Sequence, residues 1–229
     1  MRSGNQWWQA ALSKTVHHSY SILNNMKHSW KNEWDKILSN PKPGFIPEVS
    51  PTLIQAIKLR GHNTGIALDI GAGRGQHTAY LLQHGYKVDA LDFSQESMKK
   101  IEREQKSYKA QLHLEQTDVR TFKLAKMYDM IVCISMLHYI KKRDRIALIK
   151  GLQKHTTPGG YHVIIDPIHP KEISHQHTPS GNIFFMKRGE LGEMYKDWII
   201  RSYRYQPQRK DGRISKKLYW QELLIARKP

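Results

Sequence analysis

The stretch Ala67-Leu-Asp-Ile-Gly-Ala-Gly-Arg-Gly75 decides the fold, because an apolar run ends in a carboxylate and then in glycines at alternate positions. This pattern predicts a β-strand running into a ligand-binding turn. Gly71, Gly73 and Gly75 lack the Cβ that would hold a ligand away from the backbone. A dinucleotide fingerprint would need a further glycine at the sixth position of the G-x-G-x-x-G pattern, where this chain has Gln76. Asp69, just before the turn, would repel a pyrophosphate and attract an ammonium. The pairing favours a cofactor with a cationic amino-acid end and no phosphate, a description that S-adenosylmethionine meets. The competing reading is a glycine-rich loop that only turns the chain.

Working outward, strands and helices alternate. Pro51 opens a helix with Leu53, Ile54 and Ile57, and Gly65–Ile70 is the first strand. His77–Gln83 is helical with Gly85 beyond its end, and Lys87–Asp92 is a second strand. Ser94 predicts an N-cap with Glu96 in the first turn, so a helix follows to about Ser107. Leu112–Gln116 and the apolar Tyr128–Ser135 are further strands, Arg143–Lys154 is an amphipathic helix, and Pro158-Gly-Gly160 turns into Tyr161–Asp166. Trp198–Tyr205 and Leu218–Arg227 flank a turn containing Asp211-Gly212 and predict an antiparallel pair. The expected fold is α/β, a Rossmann-like doubly wound sheet of seven strands, mostly parallel with a C-terminal antiparallel pair. Residues 1–44, ending in Asn40-Pro-Lys-Pro-Gly44, predict a helical N-terminal extension, and 45–229 form the domain. The aromatics of the extension, among them Trp30 and Trp34, either dock it to the core or cap the site.

Composition narrows the class. With 229 residues the chain can bury a sizeable core, and a single cysteine, Cys133, excludes an intrachain disulfide. No apolar run reaches the roughly 20 residues of a transmembrane helix, and no signal-peptide core is visible, so a cytoplasmic protein is expected. No metal site is expected. The formal charge of +17 is spread along the chain and densest over Arg201, Arg204, Arg209, Lys210, Arg213, Lys216 and Lys217. That cluster is either a solvated face or an anion-binding one. A nucleic-acid partner is the less favoured alternative, since no recognised RNA-binding module is present.

Asp92 stands 23 positions after Asp69, at the end of the second strand, where a carboxylate would accept both hydroxyls of a ribose. Asp118 is read as an acceptor for an adenine amino group, or as an ordinary turn residue. Cys133-Ile-Ser-Met-Leu-His138 should cross the pocket mouth, with His138 a base or a structural histidine.

The chain resembles a class I S-adenosylmethionine-dependent methyltransferase, and more narrowly the TehB-type tellurite-resistance methyltransferases. The likeness rests on Leu68-Asp-Ile-Gly-Ala-Gly-Arg-Gly75, Asp89-Ala-Leu-Asp92, Tyr128-Asp-Met-Ile131, Thr157-Pro-Gly-Gly-Tyr161, Lys187-Arg-Gly-Glu-Leu191 with Tyr195 and Trp198, and Ala226-Arg-Lys228. It implies a cofactor site of Asp69, Gly71, Ala72, Gly73, Arg74, Asp92, Phe93, Ser94, Asp118, Val119, Cys133, Ile134 and Ser135, holding S-adenosyl-L-methionine and releasing S-adenosyl-L-homocysteine. It also implies a small-molecule substrate, a soft anion such as tellurite or selenite, or a thiol, facing Arg209 and Arg213 on a basic hairpin. His169 is a further substrate-side candidate. Three departures stand out: Ala72 replaces the family's cysteine, Gln208 precedes Arg209 where the family has histidine, and Asp166-Pro-Ile-His-Pro170 replaces small apolar residues.

Overall fold

In the computed structural model the described residues are 32, 34–39, 48–62, 64–168, 176–178, 181–207, 209–210, 213–214 and 220–229. Helix α1 (Pro51–Arg60) leads to strand β1 (Gly65–Ile70), α2 (Gln76–Gln83), β2 (Tyr86–Asp92), α3 (Gln95–Glu104) and β3 (Leu112–Gln116). Then come β4 (Tyr128–Ile134), α4 (Lys142–Lys154) and β5 (Thr156–Ile168). A short pair, β6 (Gln176–Thr178) with β7 (Gly181–Ile183), precedes α5 (Glu190–Met194) and β8 (Ile199–Pro207). The two-residue strands β9 (Arg209–Lys210) and β10 (Arg213–Ile214) and the long β11 (Trp220–Arg227) complete the order.

The central sheet has the order β3-β2-β1-β4-β5-β11-β8. Its first five strands are parallel, and β11 runs antiparallel between β5 and β8. The expected seven-stranded, mostly parallel architecture is therefore present. The strand order reverses beside β1, and such a switch point opens a crevice at the carboxyl ends of β1 and β4.

Alternation along the central strands divides the core into two layers, because successive strand side chains point to opposite faces. Ala67, Met130, Val163 and Ile225 face a layer with Leu53, Leu81 and Ile101 from α1–α3. Their neighbours Leu68, Ile131, Ile164 and Leu224 face a second layer with Ile149, Leu152 and Tyr195. Full burial of each aliphatic side chain contributes about 1.5–3 kcal/mol.

Boundaries differ from the sequence expectation where tertiary contacts decide. Helix α3 stops at Glu104 and passes into a 3-10 turn, Lys106–Tyr108. Strand β5 starts at Thr156 because Tyr128 already pairs with it there, so the Pro158-Gly-Gly160 turn lies within the strand. The β6–β7 pair and α5 carry too few residues for a periodic signal. Of the expected N-terminal extension, residues 34–39 are helical and the rest lies outside the described residues.

Candidate active site

Asp69 lies in the buried part of β1, and its Oδ2 accepts a 2.6 Å hydrogen bond from Thr78 Oγ1 on α2. The turn that follows is held to the next strand by the N–H groups of Gly71 and Ala72, which donate to Leu91 O at 2.8 and 3.0 Å. Gly73 has φ of 55°, and a Cβ placed there would find its nearest neighbour 3.8 Å away, so the space above the turn is open. At Gly71 the situation is reversed, since a Cβ would lie 2.9 Å from Met136 Cγ. The loop after β4 thus packs on the glycine turn.

Asp92, at the tip of β2, faces the same turn. Its Oδ2 accepts from Gly73 N at 2.8 Å and its Oδ1 from Ser94 N at 2.9 Å. Ser94 caps α3, accepting from Ser97 N at 3.2 Å, and Ser97 Oγ returns to Gly73 O at 2.6 Å. Burial pushes both carboxyls up to about 6, for Asp69 against the Thr78 hydrogen bonds and for Asp92 against those from Ser94 and Gly73. These are two buried carboxylates with no cationic partner among the described residues, flanking the glycine turn. Such a donor set fits a ligand that brings a positive charge and ribose hydroxyls, and it does not fit a phosphate. Gln76 Oε1, buried at the start of α2 without a hydrogen-bond partner among the described residues, adds an unused acceptor.

Beyond β4, Ser135 adopts φ of 56°, the one non-glycine residue with positive φ among those described. Its N–H donates to Ile165 O at 2.7 Å, which fixes the turn despite the strain of a left-handed conformation. Cys133 is buried, and burial together with the Asp166 and Asp69 charges pushes its thiol well up, so it is a packing group rather than a nucleophile. His138, on the 3-10 turn Leu137–Tyr139, places Nδ1 3.0 Å from Asp166 Oδ1. Asp166 is fully buried, and its Oδ2 has no hydrogen-bond partner among the described residues. No local spacing joins residues 28 apart, so Asp166 was visible only as a departure from the family pattern.

The remaining candidates divide. Asp118 is chelated by its neighbour Arg120, through Nε at 2.9 and 3.1 Å, so an adenine amino group would have to share that carboxylate. Val119 packs against the second core layer, and Ile134 against the first. Phe93 O accepts from Gln116 Nε2 at 3.1 Å. Arg209 and Arg213 lie on the paired strands β9 and β10, with their side chains outside the described residues, as is His169. Among the described residues no cluster of His, Cys, Asp and Glu could hold a metal ion, and no helix is long and apolar enough to cross a membrane.

One participant was signalled in the sequence only by its aromatic residues. Residues 34–39 lie across the turn: Arg74 Nη2 donates to Ile37 O at 2.8 Å, and Ser94 Oγ donates to Asp35 Oδ1 in a short hydrogen bond. Trp34 meets Tyr139 edge to face at 6.0 Å. The segment therefore bridges the rim between Asp92 and His138, and its tryptophan docks at the site rather than elsewhere on the core.

The fold and site can be compared with known proteins. The solved structure of TehB from Haemophilus influenzae superposes with a TM-score of 0.68 at 21% identity, covering 87% of this chain and 67% of that one. The N-methyltransferase NodS from Bradyrhizobium japonicum, solved with S-adenosyl-L-homocysteine, gives 0.63 at 15% identity over 88% and 99%. In sequence, a probable S-adenosyl-L-methionine-dependent methyltransferase TehB of Haemophilus influenzae is 26% identical over 136 residues, which is 59% of this chain and 46% of the relative. The chain thus spans about half the length of the curated relatives it matches. The family model described as tellurite resistance protein TehB matches residues 47–210, which include the glycine turn, Asp92, His138 and Asp166, and the chain belongs to that family.

Proposed function

We propose that this protein is an S-adenosylmethionine-dependent methyltransferase acting on a small-molecule nucleophile. The observation that carries the reading is the pair of buried carboxylates, Asp69 and Asp92, set on either side of the open glycine turn at the switch point of the sheet. Asp69 would face the cofactor's ammonium end, and Asp92, whose two oxygens are already oriented by Gly73 N and Ser94 N, would accept the ribose hydroxyls. Bound S-adenosylmethionine supplies a methyl carbon activated by a sulfonium leaving group.

The rest of the work is alignment and proton handling. In-line displacement needs nucleophile, carbon and sulfur on one axis, and positioning of that kind contributes much of the acceleration. Met136 and the strained Ser135 hold the loop after β4 against the turn, which fixes the wall from which His138 projects. Asp166 orients the His138 ring through Nδ1 and leaves Nε2 as the atom that can take a proton from a hydroxyl, amine or thiol acceptor. For an acceptor that arrives as an anion, tellurite or selenite among them, Arg209 and Arg213 are the candidate anchors.

Calorimetric titration with S-adenosyl-L-homocysteine tests the cofactor site. Saturable binding should weaken at least tenfold in Asp92→Ala, and unchanged binding would overturn the ribose assignment. Transfer of a radiolabelled methyl group to thiols, selenite, tellurite or RNA then identifies the acceptor. Label in RNA alone would refute the small-molecule reading.

A further inference from the structure

At the opposite end of the sheet, where β1 and β4 begin, a cleft of about 480 Å³ is lined by Arg60, Arg201 and Arg227 around the backbone of Thr157–Gly160. We propose that this cleft is a second binding site, for a small ligand bearing a phosphate dianion. It goes beyond the methyl-transfer reading and does not depend on it.

The argument starts from charge. The single carboxylate lining the cleft is Asp129, and it is already engaged. Its Oδ2 accepts from Ile66 N at 2.8 Å, its Oδ1 from Thr157 Oγ1 at 3.0 Å, and Arg60 Nη2 stands 3.5 Å from Oδ1. Arg60 is itself consumed by structure, since its Nη1 donates to Thr64 O at 2.6 Å and Tyr86 Oη at 2.8 Å. Arg201 and Arg227 have no hydrogen-bond or ion-pair partner among the described residues. Two arginines therefore line a polar cleft with their charge uncompensated by any described residue.

Geometry fixes how they are held. Arg227 is the last residue of β11, and its guanidinium rests over Gly159, where a Cβ would lie 3.3 Å from Nη2. Gly159 has φ of 77°, and at Gly160 a Cβ would lie 2.7 Å from Thr156 and 2.9 Å from Thr157 O, so the floor of the cleft admits glycine at both positions. Gly159 N donates to Lys228 O at 3.1 Å and Lys228 N to Gly160 O at 2.8 Å, which ties that floor to the end of β11. The stem of Arg227 therefore starts from rigid backbone, and less ordering remains when an anion binds.

The ligand class follows from the two free forks. A tetrahedral dianion offers three or more oxygens, enough for a bidentate contact to each guanidinium, and its charge matches theirs. A monocarboxylate can satisfy one fork and leaves the other unpaired. The cleft volume also leaves space for a body attached to the phosphate, such as a nucleoside or a sugar. Because β1 is six residues long, this end lies about 20 Å from the glycine turn, too far for the bound anion to be the methyl acceptor.

The test uses the full chain. Titration with inorganic phosphate and with AMP, each with and without saturating S-adenosyl-L-homocysteine, separates this cleft from the cofactor site. The expected result is saturable binding of both probes, unaffected by S-adenosyl-L-homocysteine and weakened at least tenfold by Arg201→Gln combined with Arg227→Gln, while acetate binds no better than background. Arg201→Gln alone, at an exposed position, serves if the double variant loses its thermal transition. The proposal is overturned if neither probe binds saturably, if the variants bind as the parent does, or if single-stranded RNA binds through these arginines and both small probes fail.

Discussion

Nδ1 of His138 and Oδ1 of Asp166 lie 3.0 Å apart, joining the turn after β4 to the end of β5. The contact sets the tautomer of the ring, because a proton on Nδ1 is held by the carboxylate and Nε2 is left as the basic nitrogen.

If that relationship serves catalysis, Asp166→Asn should lower kcat by about 10²–10⁴ on an acceptor carrying a proton, with KM and S-adenosyl-L-homocysteine affinity little changed. The loss should shrink as pH rises and the acceptor ionises by itself. A pH-rate profile for parent and variant checks this, and an equal loss at every pH would show that Asp166 is only structural.

The two site carboxyls give the protein an inverted acid response. Asp69 and Asp92 sit at about 6 when folded against 3.8 ordinarily, so the folded state binds more protons between those values. Their contribution to stability is therefore greatest below about pH 4 and is lost as pH rises through about 6. A shift of this size corresponds to about 3 kcal/mol per group. A ligand ammonium relieves the cost, so the rise in Tm produced by S-adenosyl-L-homocysteine should be larger at pH 7.5 than at pH 5. Thermal unfolding across that range measures it, and equal shifts at both ends would count against the ion pairing.

Arg145 is buried to 1% exposure in the first turn of α4 and donates to Phe184 O at 2.8 Å and Glu190 Oε1 at 2.9 Å, with longer contacts to Leu137 O and Ile140 O. Arg145→Met should cost about 1–3 kcal/mol, because it leaves the carbonyls of Leu137, Ile140 and Phe184 without their donor, while Glu190 keeps Lys142 and Lys187 N on its other oxygen. The measurement is chemical denaturation, and a loss below 1 kcal/mol would mean that water replaces the guanidinium.

Glycines at similar φ should respond differently. Gly75→Ala places a Cβ 2.6 Å from Ile101 Cγ1 at φ of 80°, whereas Gly61→Ala at φ of 77° meets nothing within 4 Å. The second should cost about 1–2 kcal/mol from backbone strain alone, and the first distinctly more. Denaturation midpoints of the two variants settle the order.

The strands, the glycine turn and the Asp69–Asp92 pair were legible because each has a local signal, either alternation or fixed spacing along β1 and β2. Asp35 and Asp166 were not, since their partners Ser94 and His138 are 59 and 28 residues away and nothing in the intervening chain records the meeting. Arg145 was hidden for a different reason. A charged residue on an amphipathic helix reads as solvent-facing, and only the convergence of Leu137, Ile140, Phe184 and Glu190 makes its burial tolerable.

The position of β11 between β5 and β8 has a consequence for the order of folding. Residues 223–226 are buried there, paired in register with Ile165–His162 on one side and, with a register shift between Ile225 and Ala226, with β8 on the other. During synthesis β5 can pair with β4 as soon as both have left the ribosome, but one of its edges stays bare until Trp220–Arg227 emerges. Until then the nascent chain carries an unpaired, apolar strand edge of the kind that recruits other chains. Any variant that slows arrival or docking of β11 should therefore reduce soluble yield before it reduces the stability of molecules that do fold.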